Sequence, residues 1–174
     1  MIKLRTCATA FIFNSDKVLM MKRDEKRAFA PGIWAAIGGH LEQEELNLPK
    51  VACLREIEEE TGLREEHLSN LELKYIVFRR HDLEMRIQYI YFGHTDKTNV
   101  IECNEGELYW VDVCGDLFQK KMTFTTRTTL EHYFKNKKNK KDNKIILGSV
   151  TTKNNVPIMN WQHIDDWRGE SLLG

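Results

Sequence analysis

A chain of 174 residues with 41% apolar and 30% charged side chains has the length of one ordinary domain and enough apolar content to bury its own core. Its 26 basic residues balance 26 acidic ones, which argues against a general nucleic-acid binder, and its uncharged runs are far shorter than a bilayer span. Four cysteines, Cys7, Cys53, Cys103 and Cys114, stand apart without a C-x-x-C pair, so neither a zinc knuckle nor a disulfide framework is indicated.

In chain order, the alternation through 7–13 and the run 17–23, joined by Asn14-Ser15-Asp16, predict a β-hairpin. Pro31-Gly32 bends the chain before a short apolar run, 33–37, that stops at Gly38-Gly39. Pro49 suits a helix N-terminus, 51–61 follows with good helix formers, and Gly62 ends it. Runs 71–80 and 84–94 read as a second hairpin around His81-Asp82-Leu83, and 107–113 as a further strand. A second helix is expected over 125–135, then a lysine- and asparagine-rich loop over 135–144, then a last hairpin from 145. This order predicts a single α/β layered domain with a mixed sheet. The apolar N-terminus lacks a small-residue cleavage site, so a cytoplasmic location is expected, without a signal peptide or membrane contact.

Charge is unevenly spread. Nine glutamates face Lys50, Arg55 and Arg64 between 41 and 66, while ten basic residues face Glu131 and Asp142 between 119 and 153. At about 100° per residue, Cys53, Leu54, Ile57 and Thr61 share one arc of the first helix, and Glu56, Glu59 and Glu60 lie away from it. Three carboxylates on one face repel one another and call for a cation; hard divalent metals prefer such oxygens. A plain solvated acidic face is the competing reading.

The ordered set Gly39, Glu45, Arg55-Glu56-Ile57, Glu59-Glu60 and Gly62-Leu63 resembles the Nudix box, G-x5-E-x7-R-E-U-x-E-E-x-G-U, with U an aliphatic residue. Nine residues separate Glu45 from Arg55 where the strict pattern has seven, which predicts a wider loop before Pro49 and an intact helix. The resemblance implies a Nudix-type α/β/α sandwich with its mixed sheet between helices, spanning 1–174 with a core of about 7–134 and a C-terminal hairpin extension of about 144–174. It also implies hydrolysis of a nucleoside diphosphate linked to a group X. Arg55, Glu56, Glu59 and Glu60 are then the catalytic residues. Magnesium or manganese falls to Glu56, Glu59, Glu60 and the Gly38 carbonyl, with Glu107, and Glu105 behind it, as the later ligand. Arg55 orients Glu56, the first choice of general base.

Gly32 to Gly39 most resembles nucleoside triphosphate diphosphatases acting on oxidised purines, although Ala35 stands where some of those enzymes carry Asn. The expected substrate is a purine nucleoside triphosphate, cleaved to monophosphate and diphosphate, with Arg23, Phe29, Trp34, Ala35, Gly39 and His40 as its contacts. Rival readings are a hydrolase of another diphosphate such as a nucleotide sugar, a nucleotide-binding sensor without turnover, and an isomerase on the same fold. Beyond a small-molecule nucleotide, the partners expected are none or a second copy of the chain.

Overall fold

The computed structural model describes residues 1–26, 30–101, 105–136 and 144–164. Its elements are β1 (Lys3–Asn14), β2 (Lys17–Arg23), β3 (Trp34–Ala35), β4 (Ile37–His40), α1 (Pro49–Thr61), β5 (Ser69–His81), β6 (Glu84–His94), β7 (Gly106–Asp112), α2 (Phe124–Asn136), β8 (Ile146–Lys153) and β9 (Val156–His163). One mixed sheet runs β3-β2-β1-β6-β5-β8-β9, with β4 also on β1 and β7 also on β2. The two helices cover opposite faces. Ala8, Ala10 and Ile12 of β1 pack with Cys53 and Ile57 of α1, while Phe11 and Phe13 pack in a second core with Leu130 of α2.

The first expected hairpin is much shorter than its strands. β1 and β2 pair only beside the turn, Phe13 with Val18 and Asn14 with Lys17. Beyond it β1 runs parallel to β6 along its length and takes β4 on its other side, while β2 turns to β3 and β7. The reason lies in burial. Ala8 to Phe13 are buried without interruption, which demands cover on both faces and neighbours on both edges. The split that opens between β2 and β4 is where the site forms.

The β8–β9 hairpin continues the sheet, β8 pairing in parallel with β5. The middle of the expected lysine-rich loop, 137–143, lies outside the described residues, as does Phe29.

Candidate active site

Helix α1 starts on Pro49 and stops at Gly62, whose left-handed backbone (φ 72°) lets its N–H bond the Glu58 carbonyl at 2.8 Å. Its buried side includes Ala52, Cys53, Ile57 and Thr61, and also Glu60, only 6% exposed. The Glu59 side chain is 59% exposed. Glu60 borders the apolar arc, so two adjacent carboxylates stand in opposite environments.

Two glycines bring the sheet against this helix. Gly38 has φ +134°, and a Cβ there would fall 2.2 Å from the Ala8 carbonyl oxygen. Its N–H donates to Glu60 Oε2 at 2.8 Å. A Cβ on Gly39 would sit 2.5 Å from Glu56 Oε1, so only glycine leaves room for that carboxylate.

Arg55 organises the rest. Its Nε and Nη2 donate to the two oxygens of Glu45, each at 2.9 Å. Nη1 reaches Glu56 Oε1 at 3.0 Å and Glu59 Oε2 at 3.1 Å, and Nη2 also reaches the His40 carbonyl at 3.1 Å. All five guanidinium N–H donors are thereby used, a fork geometry that lysine lacks. The widened loop still delivers Glu45: a single 3₁₀ turn, Gln43–Glu45, buries its side chain under Arg55.

The electrostatics follow from burial and from Arg55. Hydrogen bonding to Arg55 holds the Glu45 carboxyl below its ordinary pKa. Burial raises Glu56, with Arg55 acting against it. Glu60 is pushed up to about 8, mainly by burial, and the charges of Glu56 and Glu105 add to the rise. Burial, then the positive charges of Arg5 and Arg86, lower the His40 imidazole.

Among the described residues no set of three His, Cys, Asp or Glu side chains is drawn together as a finished metal cage, since Arg55 holds oxygens of Glu56 and Glu59. The donor set nevertheless suits a hard divalent cation. It is all oxygen, and burial raises its most buried member, Glu60, an environment that a bound cation would offset.

A cavity of about 420 Å³ opens beside these groups. Arg23, Ala35, Gly38, Gly39, His40 and Glu60 line it, half of the twelve expected site residues, while Arg55, Glu56, Glu59 and Glu107 are not among its lining residues. The Arg23 Nε is buried without a hydrogen-bond partner among the described residues. Trp34 lies outside the lining. Its ring packs on Tyr109, centroids 5.1 Å apart, beneath Lys120 Nζ at 4.8 Å. Glu107 is exposed on β7 and accepts from the Tyr109 hydroxyl, whereas Glu105 exerts its charge on Glu56 and Glu60. Of the two sequence candidates, Glu105 is the one whose charge is felt by Glu56 and Glu60.

Sequence reasoning did not single out Arg5, Arg86 and Gln88, which line the cavity's far end. Their grouping depends on the parallel pairing of β1 with β6, for which the sequence carries no local signal.

The NUDIX domain family matches residues 3–144. No curated protein matches the chain in sequence. Among solved structures, a MutT protein from Bacillus halodurans is 18% identical, with 91% of this chain and 97% of that one covered and a TM-score of 0.67. A MutT Nudix hydrolase from Burkholderia pseudomallei is 28% identical over 74% of this chain and 97% of its own, with a TM-score of 0.60. A bifunctional NMN adenylyltransferase/ADP-ribose pyrophosphatase from Francisella tularensis, solved with AMP and a manganese ion, is 19% identical over 78% of this chain and 42% of its own, with a TM-score of 0.66. With the family match spanning most of the chain and the box residues meeting around Arg55, this chain belongs to the Nudix hydrolase family.

Proposed function

We propose that this Nudix hydrolase cleaves a nucleoside diphosphate linked to X, and that a purine nucleoside triphosphate, split into monophosphate and diphosphate, is the substrate to test first. The observation that carries the reading is the Arg55 cluster beside the cavity. It gathers Glu56 and Glu59 and stands next to the buried Glu60, where an anionic substrate could not sit without a cation. In this reading Glu56, Glu59 and Glu60, with the Gly38 backbone and Glu105 or Glu107, hold magnesium or manganese. When bound, the metal neutralises the diphosphate and the charge developing on the attacking and leaving oxygens. Glu56 takes the proton of the attacking water; burial lifts its carboxyl, which suits a base, and Arg55 fixes one of its oxygens. Arg23 and His40 orient the substrate from the cavity wall, where Ala35 offers a methyl group in place of an amide. The same reading treats 1–174 as one Nudix domain with the β8–β9 hairpin as its extension.

The test is diphosphate release from a panel of nucleoside triphosphates and nucleotide sugars, with and without magnesium. Turnover is expected only with metal, and E59Q should lose at least about a hundredfold, metal-stabilised charge being worth several kcal/mol. Tight metal-independent binding without turnover would favour a sensor. Because Ala35 cannot hydrogen-bond a base edge, kcat/KM for dGTP and its 8-oxo form should differ by less than about a thousandfold.

A further inference from the structure

Three arginines stand abreast at one end of the cavity. Arg86 on β6 is the register partner of Arg5 on β1 and of Arg79 on β5, and all three line the cavity wall. Neighbouring strands lie about 4.8 Å apart, and like charges directly opposite one another destabilise a sheet. Only part of this charge is answered. Glu84 forms an ion pair with Arg5, Nε to Oε2 at 3.2 Å, and also pairs with Arg86. Arg79 is half-buried and its side chain makes no hydrogen bond or ion pair among the described residues; burial and the charge of Arg86 both work against its protonation. One glutamate therefore serves three guanidinium groups, and two positive charges face the cavity uncompensated.

This row is separate from the carboxylate end. The β1 partner of Gly38, which binds Glu60, is Thr9, four residues from Arg5. Four residues of strand span about 13 Å, which sets the backbone of the row apart from Gly38, while the Arg5 Nη1 comes within 3.4 Å of the His40 imidazole between them. Recognition of a purine edge would occupy one guanidinium at most, as a bidentate pair, and would leave the remaining charge unanswered.

We propose that the Arg5–Arg86–Arg79 row binds a dianionic phosphate monoester that the substrate carries away from its scissile diphosphate, so that nucleoside diphosphate derivatives with a further phosphate group are preferred. The substrate part of this inference rests on the reading above, with the scissile diphosphate at Gly38 and Glu60. The arginine subsite itself does not.

Two measurements separate the two. In metal-free protein, calorimetric titration with inorganic phosphate should show saturable binding that R79Q weakens at least about tenfold. R79Q should fold as stably as the parent or better, because it removes a like charge from the row; R5Q, at the exposed strand end, is the second variant. With magnesium, kcat/KM should favour the phosphorylated member of a matched pair, NADPH over NADH or coenzyme A over dephospho-coenzyme A, by at least about tenfold in one pair. That ratio should collapse towards one in R79Q. Phosphate binding that is absent, or that neither variant weakens, overturns the inference, as do ratios near one in an active enzyme or a guanine preference that R79Q abolishes. Failure to turn over any diphosphate, with phosphate binding lost in R79Q, keeps the arginine subsite and overturns the hydrolase reading.

Discussion

Glu59 and Glu60 are neighbours in the chain and opposites in environment, and their difference is measurable without any substrate. Without a cation, burial holds the folded-state pKa of Glu60 at about 8, well above the ordinary 4.5. A carboxyl raised on folding makes the native state bind a proton that the unfolded chain releases, so its stabilising contribution is full below 4.5 and is lost as pH rises towards 8. Thermal denaturation in chelator should therefore show the parent losing stability relative to E60Q across that window, at up to about 1.4 kcal/mol per pH unit. The comparison with E60Q matters because His40 and His132, both lowered by burial, push stability the other way as pH rises through the ordinary histidine range. A parent–E60Q difference that is flat with pH would show that Glu60 titrates normally.

At the scale of the element, β4 does two jobs through two adjacent glycines, and alanine separates them. Gly38 pairs with Thr9 in a backbone conformation that side chains rarely adopt, and its Cβ would collide with the Ala8 carbonyl. G38A should cost about 2 kcal/mol or more, read as a lowered Tm. Gly39 has no such backbone demand, and its Cβ would meet only the end of the Glu56 side chain. G39A should remain near the parent in Tm while losing at least about tenfold in kcat/KM, because Glu56 is displaced from Arg55. Equal loss of stability in both variants would show that the Glu56 cradle matters for folding and not for placing the carboxylate.

Across the whole molecule, the sheet's last hairpin is tied to the α2 core and not to the carboxylates. Trp161 of β9 packs edge-on against the buried Tyr75, centroids 5.2 Å apart, and lies against His132 of α2 at 4.7 Å. Tyr75 in turn bonds His132 Nδ1 through its hydroxyl at 3.0 Å. W161A should cost about 2–3 kcal/mol, measured by denaturant unfolding, because it opens a cavity over a residue with almost no exposure. The same variant should keep kcat/KM within a few-fold of the parent below its Tm, since Trp161 does not line the cavity and takes no part in the Arg55 cluster.

Much of this molecule was legible residue by residue. The α1 helix, its proline start and glycine stop, the acidic face and the ordered set around Arg55 are local patterns. Their physics acts over a few turns, so the linear chain carries it whole. Even the two extra residues after Glu45 changed only a loop, as a short segment of chain can absorb them. The partners of β1, the burial of Glu60 beside the exposed Glu59, the nearness of Glu105 and the row of three arginines were decided only in three dimensions. Each depends on which distant strand lies alongside another. Parallel pairing leaves no short-range signature, because the energy that selects it comes from burying both faces of a central strand, a property of the completed sheet and not of any segment within it.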